Sequence, residues 1–159
     1  VLSTLHTNDA PSAIPRLVDL GGEPYLISSA LLGVMAQRLV KTLCPDCKEA
    51  YDAPATEVLP IGYKTENTEE KIKLYRATGC SKCLNTGYKG RHGIFEMMMV
   101  NGEIRELVRQ GSHASTGEIL KAAKANGLRE LWEEGLDAVL NGSTTVEQVK
   151  KVVFTSDFV

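Results

Sequence analysis

Four cysteines fall in two pairs of one spacing, "CPDC" at 44–47 and "CSKC" at 80–83, with 32 residues between the pairs and no other cysteine in the chain. A C-x-x-C turn presents both sulfurs on one side of the backbone, so two such turns can bring four thiolates around one Zn²⁺ at tetrahedral angles. Two disulfides, or a redox-active pair, are the alternatives. Disulfides are disfavoured in a chain that carries no secretory leader pattern, and a redox pair accounts for one turn while leaving the second unexplained. With Cys44, Cys47, Cys80 and Cys83 all ligating, no position stays open, so the expected metal is structural and not catalytic. Ligation of this kind supplies binding free energy on the order of 10 kcal/mol to a segment short of apolar residues.

The second group that could do chemistry is His6, in the opening stretch "VLSTLHTNDA". A β-prone run, Val1 to Leu5, passes there into small polar groups. At the exit of a strand in an α/β sheet, where ligands bind, hydroxyls and amides around an imidazole can bond phosphate oxygens or water. An ordinary loop histidine, or one whose ring packs under the following helix, is the competing reading. His92, beside Arg91 in a strand pattern, reads as structural, and His113, between Gly111-Ser112 and Ser115, as part of a solvated loop. Phosphate chemistry needs further parts. The chain has no G-x-x-x-x-G-K-[ST] loop and no apolar strand ending in paired acids for Mg²⁺, so by itself it is expected not to hydrolyse a nucleotide.

The elements that must position these groups follow from periodicity. Residues 1–7 read as a strand and its exit. Ala13, Ile14, Leu17 and Val18 share a helical face after Ser12 as N-cap, with Pro15 in the third helical position and Gly21-Gly22 as the stop. A second helix is expected from Pro24 to about Leu43, apolar on most faces and therefore buried. From Cys44 to Gly93 the composition turns to Pro, Gly, Cys and charge, which reads as a loop-rich module. "RHGIFEMMMV", 91–100, reads as a strand. Four short helices are expected to form a compact C-terminal bundle: 103–110, then one opened by the capping-box pair Ser115/Glu118 and closed by Asn126-Gly127, one marked by residues 128–140, and one opened by a second such pair, Thr144/Glu147. The fold expected is mixed α/β and mainly helical, in three parts: 1–43, the tetracysteine module 44–93, and 94–159.

Composition narrows the partners. The 159 residues are 43% apolar and 24% charged, as in a soluble globular chain, and the net charge of −2 with no Lys/Arg cluster argues against nucleic acid. The most apolar stretch, Tyr25 to Val40, is broken by Gln37 and Arg38 and falls short of the roughly 18 residues of a membrane span. A cytoplasmic location is expected, with any membrane association made through partners. A start without methionine, at what reads as the end of a strand, leads to the expectation of a piece cut from a longer protein.

Four blocks together, "STLHTNDAPSAIPRL", "AQRLVKTLCPDCKEAY", "LYRATGCSKCLNTGYKGRHGIFEMM" and "GLDAVLNGSTTVEQVKKVV", resemble the C-terminal part of bacterial secretion ATPases. The type II secretion ATPases resemble it most, with "LYRATGC" favouring them over the type IV pilus extension ATPases. The resemblance implies the truncated C-terminal edge of a RecA-like P-loop ATPase domain carrying the His box, a small zinc module and the terminal helices. It implies that His6 lies near the terminal phosphate of ATP in a homo-hexameric motor, with Thr4 and Thr7 as nucleotide-binding neighbours, and that Cys44, Cys47, Cys80 and Cys83 hold structural Zn²⁺. ATP and Mg²⁺ would bind only in the complete protein, because the family's phosphate loop and acidic boxes lie upstream of the His box. The implied parent is an ATPase that powers protein export and pseudopilus assembly, peripheral to the inner membrane through secretion-platform partners. A non-catalytic zinc-binding interaction domain is the rival reading from another class.

Overall fold

The computed structural model describes residues 1–111 and 115–154. It is mixed α/β, with helices α1 (Ala13–Asp19), α2 (Pro24–Ala30), α3 (Gly102–Arg109), α4 (Thr116–Ala125), α5 (Leu131–Leu140) and α6 (Val146–Val153), and strands β1 (Gly33–Leu43), β2 (Glu49–Pro54), β3 (Lys71–Arg76) and β4 (Tyr88–Met99) among the described residues. β1 pairs with β4 and β2 with β3, in two two-stranded sheets. The chain divides into two compact units, residues 1–36 with 95–130 and residues 37–94 with 131–159. The four C-terminal helices are thus shared out, α3 and α4 to the first unit, α5 and α6 to the second.

In the first unit α2 packs on α3, α1 on α2, and α3 on α4. The apolar stripe of α3, Ile104 and Val108, is buried, as are Ile119, Ala122 and Ala123 of α4. Asn101 caps α3 by accepting the N–H of Ile104 at 3.0 Å. Arg105 reaches from α3 to the carbonyls of Ser28 and Ser29, at 2.5 and 3.2 Å, and satisfies acceptors that the end of α2 leaves open. The capping box expected at α4 forms: Ser115 Oγ accepts the N–H of Glu118, and the Glu118 carboxylate accepts the N–H of Ser115 at 2.8 Å. That backbone donor, and then the Ser115 hydroxyl, hold the Glu118 carboxyl below its ordinary range. Ser115→Ala is expected to cost about 1 kcal/mol, read as a lower urea midpoint, with no change in slope.

Three sequence expectations fail here, each for a physical reason. Residues 1–7 take no regular structure, because no described strand pairs with them and a strand without a ladder leaves its backbone groups to water. The helix expected over 24–43 stops at Ala30. Leu31 is already extended, at φ −74 and ψ 121, and the rest becomes β1. The apolar run satisfies both periods, and pairing with β4 decides between them: Ala36 is buried while Met35 is exposed. Gly33 permits the approach, since a Cβ there would stand 3.0 Å from the Met98 carbonyl oxygen. Ser12 immediately precedes α1 as expected, but its side chain makes no capping bond; Asp9 Oδ1 accepts the Ser12 N–H instead, at 2.8 Å.

In the second unit β2 and β3 run antiparallel from Glu49↔Arg76 to Pro54↔Lys71. Residues 44–93 therefore contain a small sheet, and they share a core with the last helices: Val58, Ile61 and Leu74 are almost wholly buried, as are Val139 of α5 and Val149 of α6. Thr144 does not cap α6. It is fully buried, and its hydroxyl donates to the Lys41 carbonyl at 2.7 Å, while Thr145 occupies the cap position without a capping bond. Glu147 pairs with Lys151 at 2.6 Å. The two β1–β4 end bonds, Val100 N–H to Leu32 O at 3.0 Å and Cys44 N–H to Gly87 O at 2.9 Å, show that these strands also run antiparallel.

Candidate functional site

The β1–β4 pair delivers the two cysteine turns to one place, since Cys44 follows β1 and Cys83 lies five residues before the start of β4. In the first turn the Cys44 carbonyl accepts the N–H groups of Cys47 and Lys48, at 3.3 and 3.0 Å. In the second, the Cys80 carbonyl accepts those of Cys83 and Asn85, at 3.2 and 2.9 Å, and Leu84 and Asn85 take left-handed φ values of 52 and 58. The turns are tied to each other by Lys82 and Asp46, an ion pair at 2.5 Å, and by the Thr78 hydroxyl, which donates to the Cys47 carbonyl. Gly87 follows the second turn at φ 74, where a Cβ would meet that of Ala77 at 2.5 Å.

The four sulfurs lie within 4.8 Å of one another. Cys44 and Cys80 are 4.0 Å apart, Cys47 and Cys83 3.8 Å, Cys80 and Cys83 3.7 Å. A tetrahedron with zinc–sulfur bonds of about 2.3 Å has edges of about 3.8 Å, so the spacing and the all-sulfur donor set fit Zn²⁺, and all four cysteines are free thiols. Burial pushes the Cys44 thiol up to about 11. Burial also acts against ionisation of Cys83, but the N–H groups of Cys80 and Gly87, each 3.2 Å from its sulfur, and the neighbouring thiols outweigh it and bring that thiol down to about 6. The centre therefore already favours a thiolate at one corner. Bound zinc would lock two chain turns together and offer no open coordination position for a substrate.

His6 lies in the first unit, exposed, in the loop that leads into α1. It lines an open depression of about 280 Å³ with Thr7, Asn8, Arg16 and Asp19; Thr4 is exposed and does not line it. His92 is exposed on β4, and His113 falls outside the described residues. Sequence reasoning passed over Glu96. This carboxyl is 2% exposed and its Oε1 accepts the N–H of Ala10 at 2.7 Å, four residues after His6. Its signal was parity: along β4 it shares the inward face of Ile94 and Met98, where an acidic side chain has no place unless something pays its desolvation.

Fold and site together define a mixed α/β protein whose second unit carries a cluster of four cysteines that could hold a metal ion. The chain belongs to the family described as Type II/IV secretion system protein, which it matches over residues 1–151. It is 47% identical over 152 residues to the type II secretion system ATPase E of Vibrio cholerae and 45% identical to the type II secretion system protein E of Pseudomonas aeruginosa, covering 96% of this chain and 29% of each relative. It is 42% identical over 149 residues to the type IV pilus assembly ATPase PilB of Thermus thermophilus, covering 94% of this chain and 16% of that protein. The chain thus spans less than a third of the length of these relatives.

Proposed function

We propose that the chain is the C-terminal part of a secretion ATPase of the type II branch, in which ATP hydrolysis drives protein export and pseudopilus assembly. The observation that carries this reading is the 47% identity, over 96% of the chain, to a protein named as a type II secretion ATPase. Pilus ATPases match at 42% and 43%, which keeps the type IV pilus extension ATPases as the second reading. In the full-length ATPase, a homo-hexamer whose RecA-like domain supplies the phosphate loop and the Mg²⁺-binding acids, His6 faces the terminal phosphate of ATP, with Thr7 beside it in the same depression and Thr4 nearby in the chain. The part carried by these 159 residues binds no Mg·ATP productively alone, because it contributes one wall of the site and not the phosphate loop.

The four thiolates hold Zn²⁺ as a structural clamp. A clamp of this kind passes displacement between subunits and to inner-membrane partners without local unfolding. No described helix is long and apolar enough to cross a membrane. A cytoplasmic enzyme held at the inner membrane by platform partners fits that observation.

Replacing His6 tests the assignment. In the full-length ATPase, His6→Ala is expected to lower kcat by about tenfold or more while nucleotide affinity changes by less than about threefold, since a group acting on the terminal phosphate stabilises the transition state more than the bound ground state. Unchanged turnover would return His6 to an ordinary loop histidine.

A further inference from the structure

The segment after His6 turns inward abruptly: Ala10 is 0%, Ala13 1% and Ile14 4% exposed, while His6 and Asn8 stay at the surface. Such a plunge leaves backbone donors without water. Within the turn, Asp9 takes the N–H of Ser12, the Ala10 carbonyl takes that of Ala13, and the Pro11 carbonyl takes that of Ile14. The N–H of Ala10 lies one step too early for these local acceptors. It is met from β4, 86 residues along the chain, by Glu96 Oε1 at 2.7 Å. The bond is buried at both ends, and Glu96 occupies a position that the pattern of β4 otherwise gives to Ile94 and Met98.

We propose that Glu96 is the positioning residue of the His6 loop: its carboxyl oxygen, fixed on β4, anchors the Ala10 N–H and thereby sets where residues 6–9 leave the core. A buried acceptor on a paired strand is a stiffer reference than anything the loop itself offers, because β4 is held by its ladder to β1. Glu96 touches no reacting atom. It acts through the backbone of Ala10, and only its effect on turnover rests on the reading of His6 as facing nucleotide.

The test uses the full-length ATPase with two substitutions, and hydrogen exchange followed by mass spectrometry reports on the loop separately from turnover. Glu96→Ala is expected to speed exchange in peptides spanning residues 7–11 by about tenfold, since the Ala10 N–H loses its buried acceptor. Glu96→Gln keeps an acceptor oxygen of the same reach and is expected to restore protection to within about threefold. In ATP turnover, Glu96→Ala is expected to lower kcat by about tenfold with KM nearly constant, and Glu96→Gln to recover most of it. Unchanged exchange at 7–11 in Glu96→Ala overturns the proposal. So does faster exchange with normal kcat, if His6→Ala lowers kcat in the same preparation. If exchange responds as expected but His6→Ala leaves turnover intact, the anchor stands and the nucleotide assignment of His6 falls.

Discussion

Cys83→Ser in the zinc-loaded protein is expected to release the metal and to remove amide-exchange protection across residues 44–87. Structural zinc contributes binding free energy on the order of 10 kcal/mol, about the whole stability of an ordinary domain. Cys83 is the most exacting corner to lose, because its sulfur also accepts the N–H groups of Cys80 and Gly87, and these bonds shape the second turn. The pH dependence has a definite sign. The Cys83 thiol is held down to about 6, below the ordinary thiol range, so the stabilisation its thiolate provides is complete above the unfolded thiol value and is lost as pH falls through about 6. Cys44 is displaced the other way, up to about 11 by burial, so its proton must be driven off by the metal. Zinc affinity is therefore expected to rise with pH, and to fall more steeply below about pH 6, where Cys83 too must give up a proton to the metal. Metal analysis across about pH 5 to 8, paired with thiol titration, checks this. A Cys83→Ser protein that keeps one tightly held zinc would show that the four sulfurs are not the ligand set.

What could be read from the sequence was what chemistry ties to spacing. Metal ligation constrains type and interval together, so the four cysteines were recognisable 32 residues apart before any fold was known. The same holds for the Ser115/Glu118 capping box, whose two reciprocal bonds involve only neighbours. The errors lie where distant partners decide. Residues 31–43 carry an apolar pattern that serves a helix as well as a strand, and the partner that settles it, β4, lies about 50 residues further on. Thr144 and Glu147 have the spacing of a cap, yet Thr144 is claimed by the Lys41 carbonyl. Parity marks Glu96 as an inward acid, but its role depends on Ala10, which strand parity alone does not identify. Local pattern foretold α1, α3, α4 and β4, and it failed at Thr144 and passed over Glu96, whose hydrogen bonds reach across 103 and 86 residues.

Gly62→Ala is expected to destabilise the second unit by about 2–4 kcal/mol, from two separable causes. Gly62 closes the 3₁₀ turn Leu59–Ile61 at φ 95, a left-handed conformation that a Cβ resists. A Cβ there would also stand 2.2 Å from Cε3 and Cζ3 of Trp132, at the start of α5. The turn is fixed from below by Val58 and Ile61, both fully buried, so it cannot withdraw; the indole must move instead, and with it the contact between α5 and the turn. Trp132 is the chain's one tryptophan, so its fluorescence reports this contact without interference. Gly62→Ala should shift the emission to the red and lower the urea midpoint together. Gly62→Asn separates the causes, because asparagine tolerates left-handed φ but carries the same Cβ. A loss for Asn close to that for Ala assigns the effect to the indole clash, whereas a mild Asn variant assigns it to backbone strain. A Gly62→Ala protein with unchanged emission and midpoint would mean that the indole does not rest on this turn.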